Sequence, residues 1–240
     1  MDYSQESYRI RCEWGERGVE VLGPICDAIV IVDILSFSTC VDVALWQGAE
    51  VYPCLWKDTR GEEFAQSIGG VLAGKRETDK FSLSPASLLQ LPEKTRLVLP
   101  SPNGSTLTTL AAEQTDLVFT SCLRNAEAVA RQLQDHGGTI GVIPAGERWP
   151  DGSLRPALED WIGAGALLSH LKGDRSPEAE AAAQSFEAAR SDIHTIILNS
   201  SSGRELSERG FAKDVQIAAE LNVSDNVPML SEGRYTKTGL

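Results

Sequence analysis

Apolar residues come in short runs, separated by longer stretches that repeat at helical spacing. The runs cover 28–32, 51–54, 70–72, 96–99, 117–120 and 139–143. They are rich in Val, Ile and Leu and do not alternate strictly with polar residues, which is the pattern of strands covered on both faces. Between them, 38–47, 58–67, 105–113 and 125–134 read as helices. Strand–helix alternation at this spacing predicts an α/β fold, a three-layer α/β/α with a mostly parallel or mixed central sheet.

After Ile143 the chain predicts a helical C-terminal part. Pro156 is expected at the first position of a helix running to about Leu171, and Ser176-Pro177 opens an Ala-rich helix over 178–190. Proline is favoured there because its missing N–H has no intrahelical partner to lose. Two more helices are expected near 203–209 and 212–221, and a polar, mobile tail from Ser231. No stretch reads as a linker or as low complexity, so residues 1–240 are expected to form a single domain.

A weak repeat links two places in this pattern. Asp33-Ile-Leu-Ser-Phe-Ser38-Thr39 ends a strand and opens a helix, and Ser101-Pro-Asn103-Gly104-Ser105-Thr106 does the same 67 residues on. In open α/β sheets ligands bind beyond the carboxyl ends of strands. Ser and Thr are also good helix caps, so either pair alone has a purely structural reading.

Composition narrows the function classes. The apolar fraction of 42% and charged fraction of 23% are those of a folded protein. With 34 acidic against 22 basic residues the net charge is −12, which argues against general binding to nucleic acid or to anionic membranes. The longest apolar run stops at Asp33, far short of the roughly 20 residues of a spanning helix. The N-terminal residues carry no signal-peptide pattern, and five cysteines without a C-x-x-C pair fit a reduced cytoplasm. The charge also speaks against anionic ligands at first sight. A global balance decides little about one pocket, however, and a bound divalent cation would invert the local field.

Several motifs are decoys. Gly69-Gly-Val-Leu-Ala-Gly74-Lys75 resembles a phosphate-binding loop, but Arg76 stands where Ser or Thr must hold Mg²⁺. Cys54-Leu-Trp-Lys-Asp-Thr-Arg60 has cysteine-phosphatase spacing, but Trp56 and Asp58 suit an anion cradle badly. No G-x-G-x-x-G is present.

The stronger constellation is spread over strand ends. Asp33 ends the first run, Asn103-Gly104 follow the fourth, and Ala145-Gly146-Glu147-Arg148 follow the last. Glu159 and Asp160 fall in the first turn of the next helix, where the dipole alone also favours acids. Gly163-Ala-Gly165 allows that helix a close approach. Oxygen donors with few histidines point to Mg²⁺ rather than zinc, with Asp33, Glu147, Glu159 and Asp160 as candidate carboxylates. Candidate cations for an anion are Lys75, Arg76, Arg124, Arg148, Arg155 and Arg204, of which two or three are expected in the site.

In this order the residues resemble the 2-phosphosulfolactate phosphatase family of Mg²⁺-dependent acid phosphatases. The family's Asp-x-Leu-Arg-Ala-x-Thr reads here Asp33-Ile-Leu35-Ser36-Phe37-Ser38-Thr39. Its Gly-Glu-Arg reads Gly74-Lys75-Arg76, followed by Ser84-Pro85. Its Thr-x-Asn-Gly-Thr reads Ser101-Pro-Asn103-Gly104-Ser105, and Leu123-Arg-Asn125 and Glu127-Ala-Val-Ala130 follow. Ala145-Gly146, the acidic pair 159–160, Gly210-Phe-x-x-Asp214 and Val227-Pro228 complete the set. Ser36 and Lys75 depart from the family's Arg and Glu.

The resemblance implies an α/β/α fold, Mg²⁺, and hydrolysis of (2R)-2-phospho-3-sulfolactate to 3-sulfolactate and phosphate. On the residues themselves, Asp33 with Glu159 or Asp160 is expected on the metal, Glu147 as general base or acid, and Asn103 as a further catalytic residue. The phosphoryl group is expected among Ser38, Thr39, Gly104 and Ser105, with Arg76, Arg124, Asn125 and Arg148 on the anions. Non-catalytic binding of a small anionic metabolite, or action on another phosphorylated hydroxy acid, stays open, as does a homo-oligomer.

Overall fold

In the computed structural model, which describes residues 3–55 and 58–237, all six apolar runs are strands of one sheet. They are β2 (Ala28–Val32), β3 (Glu50–Cys54), β4 (Val71–Leu72), β5 (Arg96–Pro100), β6 (Val118–Thr120) and β7 (Ile140–Pro144). Three further strands complete it: β1 (Ile10–Cys12), β10 (Pro228–Ser231) and β11 (Arg234–Lys237). The order is β1-β7-β2-β6-β10-β11-β3-β5-β4. A two-stranded ribbon, β8 (Glu147–Arg148) with β9 (Leu154–Arg155), stands outside it.

The sheet is two parallel blocks joined by an antiparallel hairpin. β1, β7, β2 and β6 pair in parallel, as do β3, β5 and β4. β10 is antiparallel to β6, and β11 to β3. Strand β2 is buried along its whole length, and its faces divide by the period of two. Ala28, Val30 and Val32 enter one core with α6 (Ala126–His136), α7 (Leu158–His170) and α8 (Pro177–Ala189). Ile29 and Ile31 enter another with α1 (Gly15–Leu22) and α5 (Gly104–Ala112). Helices therefore cover both faces, giving the three layers the pattern predicts.

The tail is where the sequence reading fails. Instead of a mobile polar end, 228–237 forms the hairpin that stitches the two blocks together. Its turn residues Glu232 and Gly233 both have positive φ (49° and 76°), which suits a two-residue hairpin. Tyr235 is fully buried, and its hydroxyl meets Thr108 Oγ1 at 2.9 Å. One inward aromatic anchors the otherwise polar stretch from Ser231; Thr238 to Leu240 lie outside the described residues.

Helix ends differ in smaller ways. Pro156 precedes α7 rather than opening it, because β9 holds the chain extended through Arg155. Pro177 does open α8, with Ser176 Oγ accepting from Ala179 N at 3.1 Å. The remaining C-terminal helices are α9 (Ile193–Asn199), α10 (Ser201–Glu208) and α11 (Ala212–Ala218). The Walker-like stretch contains strand β4, so it forms no phosphate loop. Arg60 of the cysteine motif is ion-paired to exposed Asp58 at 2.7 Å, and Trp56 lies outside the described residues. Among the described residues no helix is long and apolar enough to cross a membrane.

Candidate active site

Asp33 follows β2 directly and is almost fully buried. Its carboxylate is held by two backbone donors. Phe37 N, opening α2 (Phe37–Trp46), donates to Oδ1 at 3.1 Å, and Gly104 N, opening α5, donates to Oδ2 at 3.0 Å. The two halves of the weak repeat thus meet on one carboxylate, although they follow strands of opposed blocks. Gly104 is required for the approach, since a Cβ there would stand 2.2 Å from the Phe37 ring.

Three more carboxylates gather on this group. Asp160, in the first turn of α7, accepts from Ile34 N at 2.7 Å and from Gly146 N at 2.8 Å. It ties α7 to the segments following β2 and β7. Gly163 lets α7 lie close, a Cβ there being 2.4 Å from Ile34 Cδ1. Glu147, on β8, accepts from Asn103 Nδ2 at 3.0 Å. Glu159 is buried, and its carboxylate makes no hydrogen bond or ion pair among the described residues.

The electrostatics follow from this crowding. Burial, and then the charge of Glu147, push the Asp33 pKa up to about 7, against the pull of its two backbone donors. Burial, Asp33 and Glu159 hold Asp160 well above the usual carboxylate range. Glu147 is raised by burial and by Glu159, with Asn103 acting in the opposite direction. Buried like charges of this kind call for a cation or for protons. The donor chemistry therefore fits a hard divalent ion. The side chains are not closed into a ligand set, because no three His, Cys, Asp or Glu among the described residues are grouped to hold a metal.

This crowding has a sign in pH. With the Asp33 carboxyl pushed up to about 7 in the fold, above its ordinary range, folded protein retains a proton there from about pH 4 to about pH 7. Its contribution to stability is present below that window and lost as pH rises through it. In EDTA, the difference in thermal midpoint between Asp33→Asn and the parent is expected to move in the variant's favour by several degrees across it. A difference that stays flat with pH would remove Asp33 from this role.

The other predicted residues divide. Ser38 Oγ accepts from Asp33 N at 2.9 Å and meets Thr120 Oγ1 at 2.6 Å. Thr39 Oγ1 donates to Ile34 O at 2.8 Å, and Ser105 Oγ to Leu99 O at 2.8 Å. These hydroxyls are buried and brace the site, and the amides of Phe37 and Gly104 serve Asp33 rather than an open cradle. Arg76 reaches the site's edge: its Nη2 donates to Ser36 Oγ at 3.1 Å, one residue from the Phe37 amide.

Arg124 and Asn125 are not brought there. Arg124 Nε donates to Asp42 at 2.7 Å and its Nη1 binds Glu220, while Asn125 Oδ1 accepts from Cys122 N at 2.8 Å before α6. Arg148 is ion-paired to Glu16 at the rim of a cleft of about 250 Å³ that it lines with Asn103 and Glu147. Arg155, one of the candidate cations, stands directly across the ribbon from Glu147 and opposes the rise of its pKa.

The sequence reading missed what holds Arg76. Its guanidinium pairs with buried Asp214 of α11 and lies 5.3 Å from the Phe211 ring. Asp214 also accepts from Ser84 Oγ at 2.6 Å and from Ala86 N at 3.0 Å. The signal was present in Gly210-Phe-x-x-Asp214 and Ser84-Pro85, which read as separate fragments along the chain and form one buttress in space.

Comparison with known proteins adds to this geometry. The model of the 2-phosphosulpholactate phosphatase family matches residues 21–233. A probable 2-phosphosulfolactate phosphatase of Carboxydothermus hydrogenoformans is 35% identical over 220 residues, 86% of this chain and 88% of that protein. The 2-phosphosulfolactate phosphatase of Methanothermobacter thermautotrophicus is 28% identical over 85% of this chain and 87% of its own. That of Methanocaldococcus jannaschii is 29% identical over 82% and 86%.

Proposed function

The chain belongs to the 2-phosphosulpholactate phosphatase family, and from that premise we propose that it is a phosphoric monoester hydrolase acting on (2R)-2-phospho-3-sulfolactate. The match over residues 21–233 carries this reading, and the carboxylates around Asp33 support its chemistry. Phosphate monoester hydrolysis is among the slowest uncatalysed reactions, so positioning and neutralisation of charge must supply most of the acceleration.

Mg²⁺, held by Asp33 with Glu159 or Asp160, would supply positive charge to the phosphoryl oxygens. The remaining roles fall to this chain's own residues. The amides of Phe37 and Gly104 fix the Asp33 carboxylate in one orientation. Asn103 orients Glu147, whose raised pKa suits it to hold a proton for the leaving oxygen and give it up in the transition state. Arg76, stiffened by Asp214 and Phe211, offers a fixed guanidinium to an anion of the substrate. Arg155 is a second cation on the Glu147 side.

The test is phosphate release from phosphosulfolactate, phospholactate and phosphoglycolate, with Mg²⁺ and with EDTA. Release from phosphosulfolactate is expected in Mg²⁺, at least about tenfold lower in EDTA. No release from any ester would sink the phosphatase reading. Undiminished release in EDTA would sink the metal reading alone.

A further inference from the structure

We propose that Lys75 selects substrates that carry, besides the phosphoryl group and the carboxylate, a further anion on the carbon next to the phosphate-bearing one, and that it holds this anion by charge rather than by shape. The inference rests on the phosphatase reading above.

A cleft of about 650 Å³ opens beside the 74–79 turn. It shares Pro102 with the smaller cleft of Glu147, so the Pro102-Asn103 turn stands between the two. Arg76, Lys75 and Arg209 are its cations. Arg76 is paired with Asp214, and Arg209 with Glu77 and Glu205. Lys75 makes no ion pair among the described residues. Its backbone is nevertheless pinned: Lys75 N donates to Asp79 Oδ2 at 2.6 Å, and Asp79 N donates back to Lys75 O at 3.0 Å. A fixed root with a free ammonium, one residue from the buttressed Arg76, places an uncommitted positive charge at the mouth of the site.

The acids of the cleft differ in how far they are engaged. Glu77 is engaged by Arg209, and Asp79 by the turn. Glu62 of α3 (Thr59–Ser67) lines the cleft without an ion pair. Removing the lysine charge would leave Glu62 to repel an incoming anion. An ammonium is a compact point charge without the planar fork of a guanidinium. A tetrahedral sulfonate and a planar carboxylate should therefore be accepted alike, and a hydrogen in their place, leaving a bare methyl group, should forfeit the interaction.

The experiment compares kcat/KM for phosphosulfolactate, for phosphomalate (a carboxylate in place of the sulfonate) and for phospholactate (a hydrogen in place of the sulfonate, so that only the phosphate and the carboxylate are charged). The parent enzyme is expected to prefer both doubly substituted esters over phospholactate. In Lys75→Met that preference should fall about fivefold for both, an effect of the size of a partly exposed charge pair. Lys75→Glu should lower it further, and Lys75→Arg should keep it. An unchanged preference in Lys75→Met overturns the subsite and leaves the phosphatase reading intact. A loss confined to phosphosulfolactate overturns selection by charge alone. A parent enzyme that releases phosphate from none of the three overturns both readings.

Discussion

Asp33→Asn is expected to lower kcat for phosphate release about 10³-fold, within the range for loss of a group acting on developing charge. The carboxylate is nearly isosteric with the amide, so shape survives while the charge is lost. The Phe37 amide can still donate to the asparagine oxygen. The Gly104 amide, now 3.0 Å from the position of Oδ2, would meet an NH₂ and turn that contact repulsive. The loss should therefore show in kcat, with a modest change in unfolding midpoint at neutral pH, where ionised Asp33 is itself disfavoured by burial beside Glu147. Steady-state kinetics on phosphosulfolactate with a melting curve on the same preparation separates the two. Activity within threefold of the parent would remove Asp33 from the chemistry, and loss only in step with unfolding would reduce it to a brace.

The carboxylates of this site were readable from position alone. Asp33, Asn103 and Glu147 each follow a strand end, and Glu159 and Asp160 begin a helix, so the local pattern places them on one edge of an α/β sheet. The cations were not, because a guanidinium goes where a distant partner holds it. Arg76 is fixed by Asp214, 138 residues on, whereas Arg124 turns to Asp42 and Arg148 to Glu16. The same distinction holds for the fold. Strands buried on both faces announce themselves as continuous apolar runs. β1 hides because Arg11 interrupts it, its guanidinium buried on the carbonyls of Glu6, Tyr8 and Ile25. The hairpin 228–237 hides because only Tyr235 among its later residues is fully buried.

Asp42→Ala is expected to cost about 3–5 kcal/mol of stability, the usual effect of breaking a buried pair by removing one partner. Asp42 is wholly buried in α2, whose other residues are uncharged, and nothing in its neighbourhood along the chain explains a charge there. Its partners come from 82 and more residues away. Arg124 Nε donates to Oδ2 at 2.7 Å, Ser224 Oγ to Oδ1 at 2.6 Å, and Asn226 Nδ2 to Oδ1 at 3.1 Å. The network joins the end of β6 to the segment entering the hairpin, so it ties the C-terminal stitch to α2 on the far side of Asp33. Alanine would leave the Arg124 guanidinium, itself nearly buried, with Glu220 alone, would strip Ser224 Oγ of its acceptor, and would leave Asn226 Nδ2 with only the backbone carbonyl of residue 42. The unfolding midpoint should drop by roughly 10 °C, against about 2 °C for Asp225→Ala, which breaks the exposed pair with Arg131. The double variant Asp42→Leu with Arg124→Met separates causes, since replacing both charges with apolar groups of similar size removes the unpaired guanidinium. Recovery of most of the lost midpoint would identify that guanidinium as the source of the cost. A double variant as unstable as Asp42→Ala would assign the cost to Ser224 and Asn226 instead, and an unshifted midpoint in Asp42→Ala itself would refute the network's role in holding the hairpin.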